Sequence, residues 1–321
     1  MRAALELLAC PSCGGEVTTR LACKGCGRSF AAPGGVPDLR LPTDDRTEAV
    51  RRFYEVAPFP GYRERDTLSS LRARADRSEF ARLLDRAIPG DAKVLEVGCG
   101  TGQMSLYLAR ARRTVIGADL TRPSLLLAAG AARRFGVDQA LFIETDLNQP
   151  GLKPGAFDVV YCSGVLHHTP DPRAAFGSIV KLAKPGGLIV VGLYNAFARI
   201  PLRLRRTVAR LSGYRFIPGD PVLRDRESEP ERRTAWLRDQ YQHPEEHRHT
   251  LGEVAGWFRG AGVDYVRAYP SALIGEEPGD LLEPAEDLWP PEAWAKQLSW
   301  MGSLGHEGGL FVTVGRRAGC P

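Results

Sequence analysis

The chain has 321 residues, 43% of them apolar and 25% charged, as in ordinary globular proteins, and this length allows one large α/β domain with a small appendage. No apolar run approaches the roughly 20 residues that cross a bilayer, and Cys10 arrives too early for a secretory h-region to precede it. A cytoplasmic location with no membrane partner is therefore expected. The net charge of +5 is carried mostly by arginine. Clusters at Arg199, Arg203, Arg205, Arg206 and Arg210, and from Arg63 to Arg86, read either as solvated helix faces or as contacts for a phosphate-bearing partner.

The first element is Cys10-Pro-Ser-Cys13 followed by Cys23-Lys-Gly-Cys26. Each C-x-x-C pair makes a tight knuckle, and four thiolates give zinc a closed tetrahedral site. Gly14, Gly15, Gly25 and Gly27 stand where a knuckle needs a permissive backbone. With Cys10, Cys13, Cys23 and Cys26 all engaged, no position stays open for catalysis, so the expected zinc is structural. Some forty residues need it, because they bury little core unaided. A cytosolic chain keeps its thiols reduced, which speaks against disulfides. From Cys10 to Leu39 the stretch is similar to the zinc-ribbon module related to Trm112. That family occurs alone as a methyltransferase partner or fused ahead of a methyltransferase, and the resemblance leaves room for a protein partner at the ribbon.

Pro42 to Thr47 reads as a polar connection. In Arg52 to Tyr62, prolines at 58 and 60 forbid a continuing helix, so the aromatics are expected on an irregular, stiff strap. The strap either fastens the linker to the core or closes over a ligand, with Tyr54 or Tyr62 beside it. Leu68 to Ile88 has helical spacing and stops at Pro89-Gly90.

Val94 to Val97 then reads as a buried strand, Gly98-Cys99-Gly100-Thr101-Gly102 as a turn, and about Met104 to Arg112 as a helix. Such a turn lets a ligand lie against bare backbone, near the positive end of the following helix. Thr114 to Asp119 is a second strand ending in a carboxylate, placed to accept ribose hydroxyls. A helix from Pro123 to about Phe135, a strand from Leu141 to Leu147 and a strand from Phe157 to Ser163 follow. Gly164-Val165-Leu166-His167-His168-Thr169-Pro170-Asp171-Pro172 comes next, then Lys184-Pro185-Gly186-Gly187 and a fifth strand from Leu188 to Leu193.

Glycine turn, Asp119, Asp146, the His-His-Thr-Pro-Asp-Pro segment and Lys-Pro-Gly-Gly, in this order and spacing, resemble the class I methyltransferases that use S-adenosylmethionine. The glycine spacing differs from the Gly-x-Gly-x-x-Gly of dinucleotide binders and disfavours a dehydrogenase. The resemblance is firm from Asp91 to Val191. It implies an α/β, Rossmann-like seven-stranded, mostly parallel sheet with helices on both faces, following the ribbon. It also implies that Glu96, Gly98, Gly100, Gln103, Asp119, Asp146, Leu147 and Ser163 line the cofactor site, over which the strap, read as a lid, would bring Tyr54. The expected organisation is a ribbon over 1–42, strap and helix over 43–90, and a methyltransferase domain over 91–321. A helical cap insertion occupies 194–250 and a loop insertion with short helices 271–306. Between them Thr250 with Glu253 makes a capping box for a helix to Gly262. Val263 to Tyr269 and Leu310 to Val314 would be the last two strands, antiparallel.

Methyl transfer from a sulfonium needs in-line placement of the acceptor and a base where the acceptor bears a proton. The imidazoles His167, His168, His243, His247 and His249 and the phenol of Tyr194 are the candidates. His168 reads first as a packed residue, which leaves His167, Tyr194 and His249. A second metal site from His243, His247 and Glu246 is the weaker reading of the cap. No Asn-Pro-Pro-Tyr segment follows the fourth strand and no Pro-Cys pair is present, which disfavours methylation of base amines or cytosine C5. A small-molecule acceptor is thus preferred. An RNA acceptor held by ribbon and arginines is the alternative, and a non-catalytic scaffold with a relict cofactor site is the third reading.

Overall fold

The structure, a computed structural model, describes residues 2–56, 58, 60–220, 223–224, 230–276, 279–283, 285–304 and 308–319, with the backbone alone at 231 and 232. Ala57 and Phe59 of the expected strap and His306 at the end of the second insertion lie outside the described residues.

Short runs of Val, Ile and Leu bury well as parallel strands covered on both faces. Here β1 (Lys93–Val97), β2 (Thr114–Asp119), β3 (Ala140–Glu144), β4 (Phe157–Ser163), β5 (Ala183–Tyr194), β6 (Val263–Tyr269) and β7 (Leu310–Arg317) form one sheet in the order β3-β2-β1-β4-β5-β7-β6. The first five run parallel, and β7 is antiparallel to both β5 and β6. Alternate residues feed two apolar layers: Leu95, Ile116, Val160 and Ile189 on one face, Val94, Val115, Val159 and Val190 on the other. The helices are α1 (Arg2–Leu5), α2 (Asp45–Glu55), α3 (Leu68–Ala75), α4 (Glu79–Ala87), α5 (Gln103–Leu108), α6 (Arg122–Phe135), α7 (Pro172–Val180), α8 (Ile200–Leu211), α9 (Pro230–Gln242), α10 (Leu251–Gly260) and α11 (Pro290–Ser303).

Several local expectations are corrected. The end of the connection to Thr47 and the first part of the strap belong to a helix, α2, which Asp44 caps by accepting the N–H groups of Arg46 and Thr47. The stretch from Leu68 to Ile88 is two helices. Ser78 turns its hydroxyl to the N–H of Ala81 and starts a second helix there. The helix after the glycine turn ends at Leu108, because buried Arg113 folds back onto the carbonyls of Leu108, Asp85 and Ile88. The insertion over 271–306 holds a helix of 14 residues, α11. Thr250 does cap α10, but Glu253 sends its carboxylate to His249 Nδ1 at 2.9 Å, so the box is half made.

The N-terminal region is built into the sheet. Asp38 pairs in parallel with Glu144, the last residue of β3, and Leu8 pairs with Leu152. Ala4, Leu7, Leu8 and Leu39 belong to the same core as Leu95 and Val160. A Cβ on Gly151 would sit 2.6 Å from that of Leu39, so only glycine lets the two pieces close. Cap residues Leu202, Ala209, Leu223 and Tyr241 form a small core of their own.

Candidate active site

In open parallel sheets, ligands sit beyond the carboxyl ends of the strands where the strand order reverses, here between β1 and β4. A cavity of ≈ 260 Å³ lies at that place. Gly98, Gly100, Asp119, Asp146, Leu147 and Ser163, all at or just past the ends of β1 to β4, line it, and α2 covers it with Thr47, Val50, Arg51 and Tyr54. Gly98, Gly100 and Gly102 all have positive φ. A Cβ on Gly98 would lie 2.1 Å from Val165 Cγ2, so this glycine is demanded by the loop after β4 as much as by any ligand.

Asp119 is held on three sides. Its Oδ2 accepts the Gly100 N–H at 2.8 Å, while its Oδ1 accepts the Thr121 N–H at 2.8 Å and the Thr121 hydroxyl at 2.6 Å. Burial pushes its carboxyl up from the usual range, and these donors pull it part of the way back. Asp146 accepts from Thr43 Oγ1 at 2.9 Å and from the Asn148 N–H at 2.8 Å.

Two of the nine residues expected around the cofactor lie elsewhere. Glu96 points under the turn, where the Ser105 hydroxyl donates to it, and burial pushes its carboxyl up to about 8. Gln103 donates to the Gly61 carbonyl at 3.3 Å and does not line the cavity. Tyr62 also stays outside, its hydroxyl donating to the Thr101 carbonyl at 2.6 Å.

His167, Tyr194 and His249, the three groups expected to act on the acceptor, do not line the cavity either. His167 is fully buried, stacked on Tyr194 at 3.7 Å, with Nδ1 taking the Tyr194 N–H. Tyr194 accepts from Gln240 Nε2 at 2.8 Å and lies under the Arg199 guanidinium. His249 pairs with Glu253 and meets Trp257 edge-on at 4.6 Å. The imidazole that does face the cavity is His168. Its Nδ1 lies 2.8 Å from the Glu245 carbonyl oxygen, which can only accept, so Nδ1 carries the proton and Nε2 the lone pair. Burial pushes its pKa below 6.5, with Asp239 opposing, and the ring is therefore neutral at pH 7. The signal in the sequence was the His-His pair itself, which does not say which ring turns outward.

The cap grips this wall from behind instead of forming it. Tyr54 donates to Asp239 Oδ1 at 2.9 Å, His243 stacks on His168 at 3.7 Å, and Arg46 of α2 pairs with Glu245 at 2.8 Å. No cap residue from 194–250 lines the cavity among the described residues, which corrects the expectation of direct closure by the cap.

At the other end of the chain, Cys10, Cys13, Cys23 and Cys26 place their Sγ atoms within 4.8 Å of one another. The Cys10–Cys26 and Cys13–Cys23 separations are 3.7 and 3.5 Å. A tetrahedral zinc with Zn–S bonds of about 2.3 Å has S–S edges of about 3.8 Å. The four sulfurs fit such an ion, which would be closed to any further ligand.

Residues 95–191 match a family model described as a methyltransferase domain. An uncharacterised protein of Synechococcus sp. is 28% identical over 72% of this chain and 64% of its own length. The ubiquinone biosynthesis O-methyltransferase of Idiomarina loihiensis is 42% identical over 32% of this chain and 42% of its own. The chain thus spans less than two thirds of the length of the curated relatives it matches. Among solved structures, PKMT2 from Rickettsia typhi in complex with AdoHcy shares the fold, with a TM-score of 0.51 at 13% identity over 72% of this chain and 50% of that one. No described helix is long and apolar enough to cross a membrane.

Proposed function

For a chain that carries a class I S-adenosylmethionine-dependent methyltransferase domain, we propose methyl transfer to a small or medium-sized acceptor, on oxygen, nitrogen or carbon. The observation that carries this reading is the character of the covered cavity. Tyr54 and His168 stand 6.3 Å apart at its wall, and its one lysine or arginine among the described residues, Arg51, is already paired with Glu48 and Glu55. An RNA acceptor would call for an open, basic approach to the same point.

In this reading the turn from Gly98 to Gly100 and the carboxylate of Asp119 hold the nucleoside, Asp119 through its ribose hydroxyls. Asp146 faces the adenine amino group, and Leu147, Ser163 and Tyr54 complete the wall. Bound S-adenosylmethionine supplies an already activated methyl group. The protein's share is to exclude water, to aim the acceptor and, where the acceptor carries a proton, to take it at His168 Nε2. The four cysteines hold a structural zinc in a Trm112-like ribbon.

The test is purified protein with labelled S-adenosylmethionine and cell extract separated into small-molecule, RNA and protein fractions. Label in the small-molecule fraction supports the proposal, and label confined to RNA overturns the acceptor class. Independently, Asp119→Ala is expected to weaken cofactor binding at least about tenfold in calorimetry, since hydrogen bonds to a charged group contribute about 1.5–3 kcal/mol each. Unchanged affinity would remove Asp119 from the nucleoside site.

A further inference from the structure

Helix α8 has two apolar faces where a surface helix has one. Leu202 and Ala209 are buried against the cap, and Arg199 and Arg206 turn inward to share Glu246 Oε2, each at 2.5 Å. On the opposite side Ile200, Leu204, Val208 and Leu211 are 37%, 66%, 38% and 85% exposed. At about 100° per residue these four fall within an arc of about 80°, so they form a single stripe. Phe216, just past the helix, is 60% exposed.

Along the chain around the stripe the charge has one sign. No acidic residue occurs between Arg199 and Gly219, and Arg203, Arg205, Arg210 and Arg215 remain after the two inward arginines are set aside. Helical spacing puts Arg203 and Arg210 along one edge of the stripe and Arg205 along the other. The patch continues onto α11. Phe197, three residues ahead of Ile200, packs edge-on against Trp294 at 4.7 Å. Trp294 is 55% exposed, as are Trp289 at 63% and Leu298 at 40%. A basic helix with an outward aliphatic stripe, flanked by exposed tryptophans, has the chemistry of the interface of an anionic bilayer. Aliphatic side chains enter the acyl boundary, indole rings sit at headgroup depth and guanidinium groups meet lipid phosphates.

We propose that the outward face of α8, extended by Trp289 and Trp294, seats this protein on an anionic lipid surface. The absence of a spanning run does not bear on this, because a peripheral contact needs none. The inference does not depend on the methyl-transfer reading.

The experiment is co-sedimentation of the full chain with vesicles of equal parts phosphatidylcholine and phosphatidylglycerol, and with phosphatidylcholine alone. Binding to the anionic vesicles is expected, weakened by raised salt, with little binding to the neutral ones. The double variant Leu204→Glu, Leu211→Glu is expected to bind at least about tenfold more weakly. Both positions face solvent, so the fold is retained, and an unchanged S-adenosylmethionine titration checks this separately. Failure of the protein to bind anionic vesicles overturns the proposal, as does undiminished binding by the double variant. Two further results overturn it in favour of another occupant. One is tight binding of purified RNA without vesicle binding. The other is a dimer that the double variant dissolves while vesicles go unbound.

Discussion

Four thiols near one end of the chain and five imidazoles near the cap are both clusters of metal-capable side chains, and they differ in what their donor atoms face. The sulfurs of Cys10, Cys13, Cys23 and Cys26 point at one another, within 4.8 Å. The histidines are brought just as close, with ring centres 3.7 Å apart for His168 and His243 and 4.3 Å for His167 and His168. Their nitrogens diverge: His168 to the Glu245 carbonyl, His167 to the Tyr194 N–H, His243 to the Glu245 N–H and His249 to Glu253. Among the described residues the cysteines alone make a group able to hold an ion. Proximity is thus insufficient for a metal site. The donors must also converge, and here one nitrogen of each of these four rings is turned to a separate partner, the Glu245 carbonyl fixing the tautomer of His168 against the cavity.

The largest effect expected from breaking this contrast is at the sulfurs. Cys10→Ser should lose zinc by elemental analysis and lower the melting temperature by on the order of 10 °C, because Cys10 and Cys23 belong to the same core as the sheet. A variant with full zinc and the parent's melting curve would undo the assignment. Any of the five histidines changed to alanine should leave zinc at one equivalent.

Among the imidazoles the effects should separate sharply. His168→Ala is expected to lower kcat by about 10²–10⁴-fold while leaving cofactor affinity within about twofold. Since burial lowers the pKa of His168 from 6.5, its neutral, proton-accepting form persists on acidification. The acid limb of kcat/KM should therefore lie below pH 6.5 and vanish in the alanine variant. A limb above that value would place the base elsewhere. The smallest effect is expected at His249, whose ring packs on Trp257 away from the cavity. His249→Ala should cost about 1–2 kcal/mol in a urea titration and change kcat less than about threefold. A larger fall in kcat would return His249 to the role first expected of it.

The parts of this protein legible in the sequence are those whose cause is local. The knuckles are short because zinc needs paired thiolates, the strand cores are continuous because both faces are covered, and the glycines mark backbone turns. Even there, one reason was hidden: Gly98 makes way for Val165, which lies far off in the chain. The helix α2 could have been read from Asp44 as an N-cap, yet the prolines at 58 and 60 drew attention to an extended strap instead. Nothing local could reveal that α2 roofs the cavity, since that depends on Tyr54 reaching Asp239 and Arg46 reaching Glu245 in the cap.

By itself, then, the sequence determined the strand segments in chain order, a four-cysteine cluster, and a glycine turn followed by Asp119. Periodicity, propensity and short-range spacing act along the chain and need no partner. Only the tertiary structure decided that the four-cysteine region shares the sheet's core, that Glu96 is withdrawn beneath the turn, and that His168 is the ring presented to the cavity. Burial and hydrogen-bond commitment belong to neighbours in space, and two adjacent histidines differ in nothing until those neighbours arrive.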